Sequence, residues 1–357
     1  MRSRTFPRAD FFLPSAWKEQ RLRDEVLARA RQGSVVHISH GECLDGAAAD
    51  ALVRLRHGDA AVSTIFTEPD AVVPKLEAIA AAGIAGEGRS LLLSDVSPQR
   101  SQRDRLEQAL GTLNERGWRI EWRDHHGAQW QDGLLDAVKR KADHVRVALD
   151  NQECGTSLVQ LDLLPSDAYA RELAAVVRDI DLWVRKDPRS ETLTHALHQL
   201  GNRALVAKLV RDRVVLDAEL ERAARLHKDQ LERDLARALA RAWFVEGKHR
   251  VGVVYGDFPG SQACDALRTQ AKTDLEINLK PSGKFSLRSR PELPLCHAVA
   301  QRFRGGGHPN ASGGRIRPAA WAWPFYWLSG GKVREAGALA RAAADADVPG
   351  GAPAPRR

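Results

Sequence analysis

Four short apolar runs in this chain each stop at carboxylates or imidazoles, and that recurrence limits the folds open to it. Ser34-Val-Val-His-Ile-Ser39 gives way to His40-Gly41-Glu42-Cys43-Leu44-Asp45-Gly46, ahead of an alanine-rich helical segment from Ala47 to Arg56. Leu91-Leu92-Leu93 stops at Ser94-Asp95, and helical spacing follows from Gln99 to Arg116. Trp118 to Trp122 runs into Arg123-Asp124-His125-His126-Gly127, and Val145 to Leu149 ends at Asp150. Strands alternating with helices predict an α/β fold on a doubly wound parallel sheet, whose ligands collect outside the carboxyl ends of its strands. His40, Asp45, Asp95, Asp124, His125 and His126 are therefore expected to converge.

Each of these residues alone has an ordinary reading. Asp45 would serve as a helix cap, Asp95 as a loop carboxylate, His40 as a satisfied histidine beside the core, and the paired histidines as solvated loop residues. Together, carboxylates and imidazoles are the donors that hard or borderline divalent cations take. A further acidic pair, Asp179 and Asp181, follows the helical run Tyr169 to Arg178. Carboxylates at i and i+2 cannot share one helix face, so only one of them reaches the site.

The ordered set of motifs resembles the DHH phosphoesterases with a C-terminal DHHA1 domain. These manganese-type phosphohydrolases include RecJ-type exonucleases, nanoRNases, pAp phosphatases and cyclic-dinucleotide phosphodiesterases. Asp124-His125-His126 matches the triplet that names the family. The stretch His40 to Gly46 resembles its first motif, Leu93-Ser94-Asp95 its second, and Asp179-Ile-Asp181-Leu-Trp183 its fourth. Downstream, Gly305-Gly306-Gly307-His308-Pro309-Asn310-Ala311-Ser312-Gly313 resembles the glycine-rich signature of DHHA1, and Phe285-Ser286-Leu287-Arg288-Ser289 the strand before it.

The resemblance implies two divalent metal ions, Mn2+ by default, held by His40, Cys43, Asp45, Asp95, His125 and Asp179, with Asp95 bridging. His126 then faces the substrate phosphate and Asp124 supports the imidazoles. The first motif departs from the family pattern, which supplies two aspartates where this chain has Asp45 alone. Glu42 and Cys43 compete for the second place, and Cys43 fits a subset with a His-x-x-Cys-x-Asp-Gly pattern. A thiolate there would favour Fe or Zn over Mn. In the second domain the implied substrate-binding residues are Arg288, Gly305, Gly306, Gly307 and His308. Glycine amides approach a phosphate closely, and Arg and His add charge-assisted hydrogen bonds.

Hydrolysis of an anionic phosphodiester needs charge neutralisation and a nucleophile that exists at neutral pH. Two divalent ions about 3.5 to 4 Å apart meet both needs, so the expected nucleophile is a metal-activated hydroxide. No Gly-x-Ser-x-Gly elbow, Gly-x4-Gly-Lys-Ser/Thr phosphate loop or paired Cys-x2-Cys spacing offers a competing chemistry. The resulting expectation is a metal-dependent phosphodiesterase or exonuclease that hydrolyses short single-stranded RNA or DNA to mononucleotides. The alternatives are a pAp phosphatase or cyclic-dinucleotide phosphodiesterase and, because the first motif is irregular, a non-catalytic nucleic-acid binding module.

The net charge of +8 suits an anionic partner. Four scattered cysteines, a start from Met1 to Trp17 without an apolar core, and no window near ~20 apolar residues point to a cytoplasmic protein without a membrane segment. The expected organisation is a DHH catalytic domain over 1–201, a helical linker over 202–245, a smaller α/β DHHA1 domain over 246–330, and a tail over 331–357 that is disordered from 349. The catalytic cleft is expected between the domains. The cluster Trp321-Ala-Trp323-Pro-Phe325-Tyr326-Trp327 is expected to stack on unpaired bases, or to pack against the second domain or a second copy as in a homodimer.

Overall fold

The computed structural model describes residues 15–41, 43–150 and 152–348. It divides into two compact units at Lys228 and Asp229. The first holds a parallel five-stranded sheet of β1 (Val35–His40), β2 (Val62–Thr67), β3 (Ser90–Ser94), β4 (Arg119–Asp124) and β5 (His144–Val147), in the order β2-β1-β3-β4-β5. Neighbours leave β1 in opposite directions, so the topological switch lies between β1 and β3, where open α/β sheets place their ligands.

The register aligns the strand ends. Ser39 pairs with Ser94, and Ser94 with Arg123. The next residues, His40, Asp95 and Asp124, therefore stand in a row across adjacent strands. The strands are apolar on both faces, as buried parallel strands are. Val36, Ile38, Leu91 and Leu93 join one layer of the core, while Val35 and Leu92 join the other. His40 closes β1 rather than opening the loop.

Among the elements that the sequence analysis left unassigned are β2 and the helix Val72–Ala81. The hydroxyls of β2 mask its apolar pattern. They are nonetheless buried, and Thr64 donates a 2.6 Å hydrogen bond to Asp50.

The second unit holds β6 (Trp243–Val245), β7 (Val251–Tyr255), β8 (Leu275–Leu279), β9 (Lys284–Ser289), β10 (Gly306–His308) and β11 (Ala311–Arg315). They form one mixed sheet in the order β10-β11-β9-β8-β7-β6, in which only β7 and β8 run parallel.

The expected boundaries need correction at two places. Residues 202–245 do not form a separate linker. The helix Asn202–Asp212 buries Leu205, Val206 and Leu209 in the first core. The helix Ala218–Leu239 adds Leu220, Ala223 and Ala224 to that core, and Leu231 and Leu235 to a cluster with Val254, Phe258 and Leu267. Nor is the chain from 331 a tail, because the helix Arg334–Ala344 places Ala336, Leu339, Ala340 and Ala343 in the second core. The stretch expected to be disordered, 349–357, lies outside the described residues. The aromatic cluster divides: Tyr326 and Trp327 are buried, whereas Trp321, Phe325 and Leu328 are exposed.

Candidate metal centre

The sheet brings five of the expected ligands together. Asp95, directly after β3, adopts a left-handed backbone (φ +53°), a region that Asp tolerates better than most residues. Its carboxylate is buried and divides between two sets of neighbours. Oδ2 accepts from the Cys43 thiol at 3.1 Å and lies 3.7 Å from His40 Nδ1, while Oδ1 lies 3.3 Å from His125 Nε2. His125 Nε2 also stands 3.7 Å from Asp45 and 3.5 Å from Asp181. Among the described residues, the groups able to hold a metal are His40 with Cys43 and Asp95, Asp95 with His125 and His126, and Asp45 with His125 and Asp181.

Local structure holds these donors in place. Cys43 caps the helix Leu44–His57, its sulfur accepting from the Gly46 amide at 3.1 Å. Asp45 lies in the first turn of that helix. Its two oxygens accept from the amides of Gly155 (2.6 Å) and Thr156 (2.7 Å), at the N-terminus of the helix Gly155–Leu163. Two helix ends thus meet at one carboxylate, and an N-terminal helix end favours negative charge. A Cβ on Gly155 would fall 2.6 Å from Asp95 Cβ and 2.9 Å from Asp45 Oδ2, so the cluster closes only around a glycine.

Asp124 stands behind the cluster. It is fully buried, accepts from the Trp130 indole at 2.5 Å, and lies 2.8 Å from His126 Nδ1. Its carboxylate thus links the His126 ring to the Trp130 indole. His126 remains 39 % exposed, so its ring reaches both the cluster and solvent.

Asp179 requires correction. It faces away from the cluster, its carboxylate accepting from the Lys186 amide and the Ser190 hydroxyl, both at 2.8 Å. It organises the turn after its own helix, Ala168–Asp181, and Asp181 takes the place expected for it. The fourth strand end contributes nothing. Asp150 is exposed and, among the described residues, accepts only from the nearby Gln152 amide, at 3.3 Å. Glu42, the rival of Cys43, lies outside the described residues.

Charge in the cluster is unbalanced. Burial and the charges of Asp95 and Asp181 push the Asp45 carboxyl up to about 8, and burial raises Asp181 as well. Asp95 goes the other way: against burial, hydrogen bonds from His125 and His40 hold it well below the usual carboxylate range. Hydrogen bonding to Asp95 and Glu68 raises His40 to about 10. Burial opposes protonation of His125, but Asp95, Asp45 and Asp181 raise it to about 9. Burial beside Asp95 and Asp45 pushes the Cys43 thiol well up. Asp45, His40 and His125 thus hold protons that a cation would displace, and ionised Asp95 lies among them, which fits hard or borderline divalent ions.

Sequence reasoning missed the residues that brace this cluster. Glu68, following β2, lies 3.6 Å from His40. Beneath the strand ends, fully buried His37 bridges Asp50 and Ser94, at 2.8 Å each. The run Cys154-Gly155-Thr156-Ser157 carries a capping signal that marks a helix start, but nothing local shows that it meets Asp45.

In the second unit, the register sets His308, Ala311 and Arg288 side by side on one sheet face. Arg288 and His308 flank the small Ala311 there. The glycines behave differently from one another. A Cβ on Gly305 would meet Gly313 O at 2.1 Å, one on Gly307 would meet Ala311 O at 2.6 Å, and one on Gly306 would meet nothing. Gly305 also spends its amide on Ala300 O (2.9 Å). The hairpin itself thus demands Gly305 and Gly307, and the room for a ligand is at Gly306.

These features define a two-unit α/β protein with carboxylate and imidazole donors gathered at the carboxyl edge of a parallel sheet. No family model matches the chain, and no curated protein matches it. Among solved structures, it is similar to the DHH domain of a protein described as a member of a family of ribosomal proteins, with a TM-score of 0.53 and 13% identity over 87% of this chain and 89% of that one. RecJ from Thermus thermophilus in complex with Mn2+ matches with a TM-score of 0.46 and 18% identity, over 90% of this chain and 55% of that one. An exopolyphosphatase-related protein from Bacteroides fragilis matches with a TM-score of 0.44 and 14% identity, over 91% and 97%. In fold, the chain is similar to a DHH domain.

Proposed function

We propose that this protein is a metal-dependent phosphodiesterase that removes mononucleotides from the end of short single-stranded RNA or DNA. The observation that carries this reading is the division of Asp95, whose two oxygens face Cys43 with His40 on one side and His125 on the other. One carboxylate serving two donor sets suits a pair of ions. His40, Cys43 and Asp95 would hold one, and Asp45, His125 and Asp181 with Asp95 the other. Divalent ions supply neutralisation of phosphate charge and acidification of water at neutral pH.

The remaining work falls to the chain. His126, oriented through Nδ1 by Asp124, directs the rest of its ring to the phosphoryl oxygens and stabilises charge developing there. In the second unit, Arg288 and His308 bind anionic groups by charge-assisted hydrogen bonds, over the open approach at Gly306.

Incubation with Mn2+ and a labelled dinucleotide, a longer single strand, pAp or cyclic di-AMP tests the reading. Conversion of the linear strands to mononucleotides is expected, with loss of turnover in Asp95→Ala and His125→Ala. Turnover confined to pAp or the cyclic compound would make this a small-nucleotide hydrolase. Bound metal without turnover of any of the four would leave a binding module.

A further inference from the structure

A cavity of about 320 Å³ in the second unit is ringed by Arg302, Arg304, Arg315, Arg317 and Arg334. Phe303, Ile316 and Ala338 complete its wall, and Glu335 is the one acid there. Among the described residues, none of the five guanidinium groups has an ion pair or side-chain hydrogen bond. Several arginines elsewhere are paired: Arg54, Arg105, Arg123 and Arg189 each meet a carboxylate within 3.0 Å. Five like charges around one hollow repel one another, and among the described residues Glu335 is the one carboxylate that lines it with them. A ligand bearing several negative charges would remove that repulsion. Guanidinium forks match phosphate oxygens in pairs.

The cavity adjoins the Gly305 end of the glycine-rich motif and lies away from its His308 end. Arg302 and Arg304 precede β10, and Arg315 and Arg317 end or follow β11, so the arginines gather at the open end of the hairpin. His308 pairs with Ala311 at its closed end. Arg304 and His308 are four residues apart, about 13 Å along an extended chain. The chain then supplies aromatic surface. Four residues beyond Arg317, Trp321 is 75% exposed, and Phe325 is 62% exposed with its ring centroid 6.4 Å away. Exposed rings that follow a row of unpaired arginines suit single-stranded nucleic acid, whose bases stack while its backbone meets the charge. Polyphosphate has nothing to stack, and an acidic peptide lacks phosphate.

We propose that the five-arginine cavity, with Trp321 and Phe325, docks the backbone and bases of a single-stranded nucleic acid at the open end of the hairpin, away from His308. The identity of the strand as substrate rests on the function proposed above; the docking itself does not.

Fluorescence anisotropy of a labelled 12-nucleotide phosphorothioate strand, with Mn2+ present, tests the proposal on the full chain. A single-strand phosphate contact contributes a slope of about 0.7 in log affinity against log salt, or about fivefold between 1 M and 0.1 M. Arg315→Gln with Arg317→Gln is therefore expected to weaken binding about 25-fold at 0.1 M salt and to lower the slope by about 1.4. Trp321→Ala should weaken it at least about fivefold with little change in slope. Unchanged affinity in both variants, with melting temperatures equal to the parent, would overturn the proposal. Equal displacement by polyglutamate or inorganic polyphosphate would also overturn it, in favour of an acidic protein or a bare phosphate chain. Hydrolysis of bis(4-nitrophenyl) phosphate by the parent reads the metal centre separately. Its absence would count against the catalytic reading and leave the anisotropy result standing.

Discussion

The amide of Gly155 donates to the Asp45 carboxylate at 2.6 Å, joining two helix N-termini across 110 residues of chain. The contact exists because Gly155 places no Cβ between the helix and the cluster. In Gly155→Ala, the new Cβ would press on Asp95 and Asp45 together. The expected outcome is a stability loss of about 1–3 kcal/mol by denaturant titration. Bound metal by mass spectrometry should fall, and hydrolysis should drop more than the loss of folded protein explains.

Asp179 and Asp181 separate by variant. Asp179→Asn weakens the acceptor for the Lys186 amide and the Ser190 hydroxyl, so the protein should unfold at lower denaturant concentration while keeping its metal. Asp181→Asn removes a charge from a crowded set of carboxylates. It should melt no lower than the parent in chelator yet bind less metal, and the opposite pattern would restore Asp179 as the ligand.

Metal removal should be visible in melting. A ligand that binds only the folded state at 100 times its dissociation constant adds about 2.7 kcal/mol, or about 5–10 °C for a unit of this size. Scanning calorimetry with Mn2+ and with EDTA should show that difference, and Asp95→Ala should abolish it.

The pH dependence has a definite sign. His40 and His125, ordinarily near 6.5, are raised to about 10 and about 9. The fold thus favours their protonated forms, a stabilisation complete below about 6.5 and lost as pH rises through 9 to 10. Asp45, raised from 3.8 to about 8, acts in the same direction, its contribution fading as pH rises through 8. A cation must displace these protons, so Mn2+ affinity should increase from pH 6.5 to 9 with net proton release. Calorimetric titration in two buffers of different ionisation enthalpy measures both, and affinity independent of pH would contradict this assignment.

Much of the first sheet could be read in advance, because strands buried on both faces carry continuous apolar runs and their ends are marked by a change to polar residues. β1, β3, β4 and β5 fall within a residue or two of the expected runs. β2 escaped because Ser63, Thr64 and Thr67 bury their hydroxyls inside the protein, against the local signal of a polar stretch. The helices Asn202–Asp212 and Ala218–Leu239 were legible as helices, but their charge density hid the stripes that enter the two cores. The alanines of Arg334–Ala344 fell within the expected tail, although small side chains are what a close-packed helix uses.

The sequence by itself determined which residues could make a metal centre, since strand ends in a parallel sheet are aligned by backbone pairing and His40, Asp95 and His125 sit at those ends. Tertiary structure alone decided between Asp179 and Asp181, which flank Ile180 at about 100° to either side on the same helix. It also delivered Gly155 to Asp45 and gathered five arginines from three segments around one cavity. Periodicity records which face of an element is buried; what lies opposite that face depends on how the elements pack, and local sequence carries no trace of it.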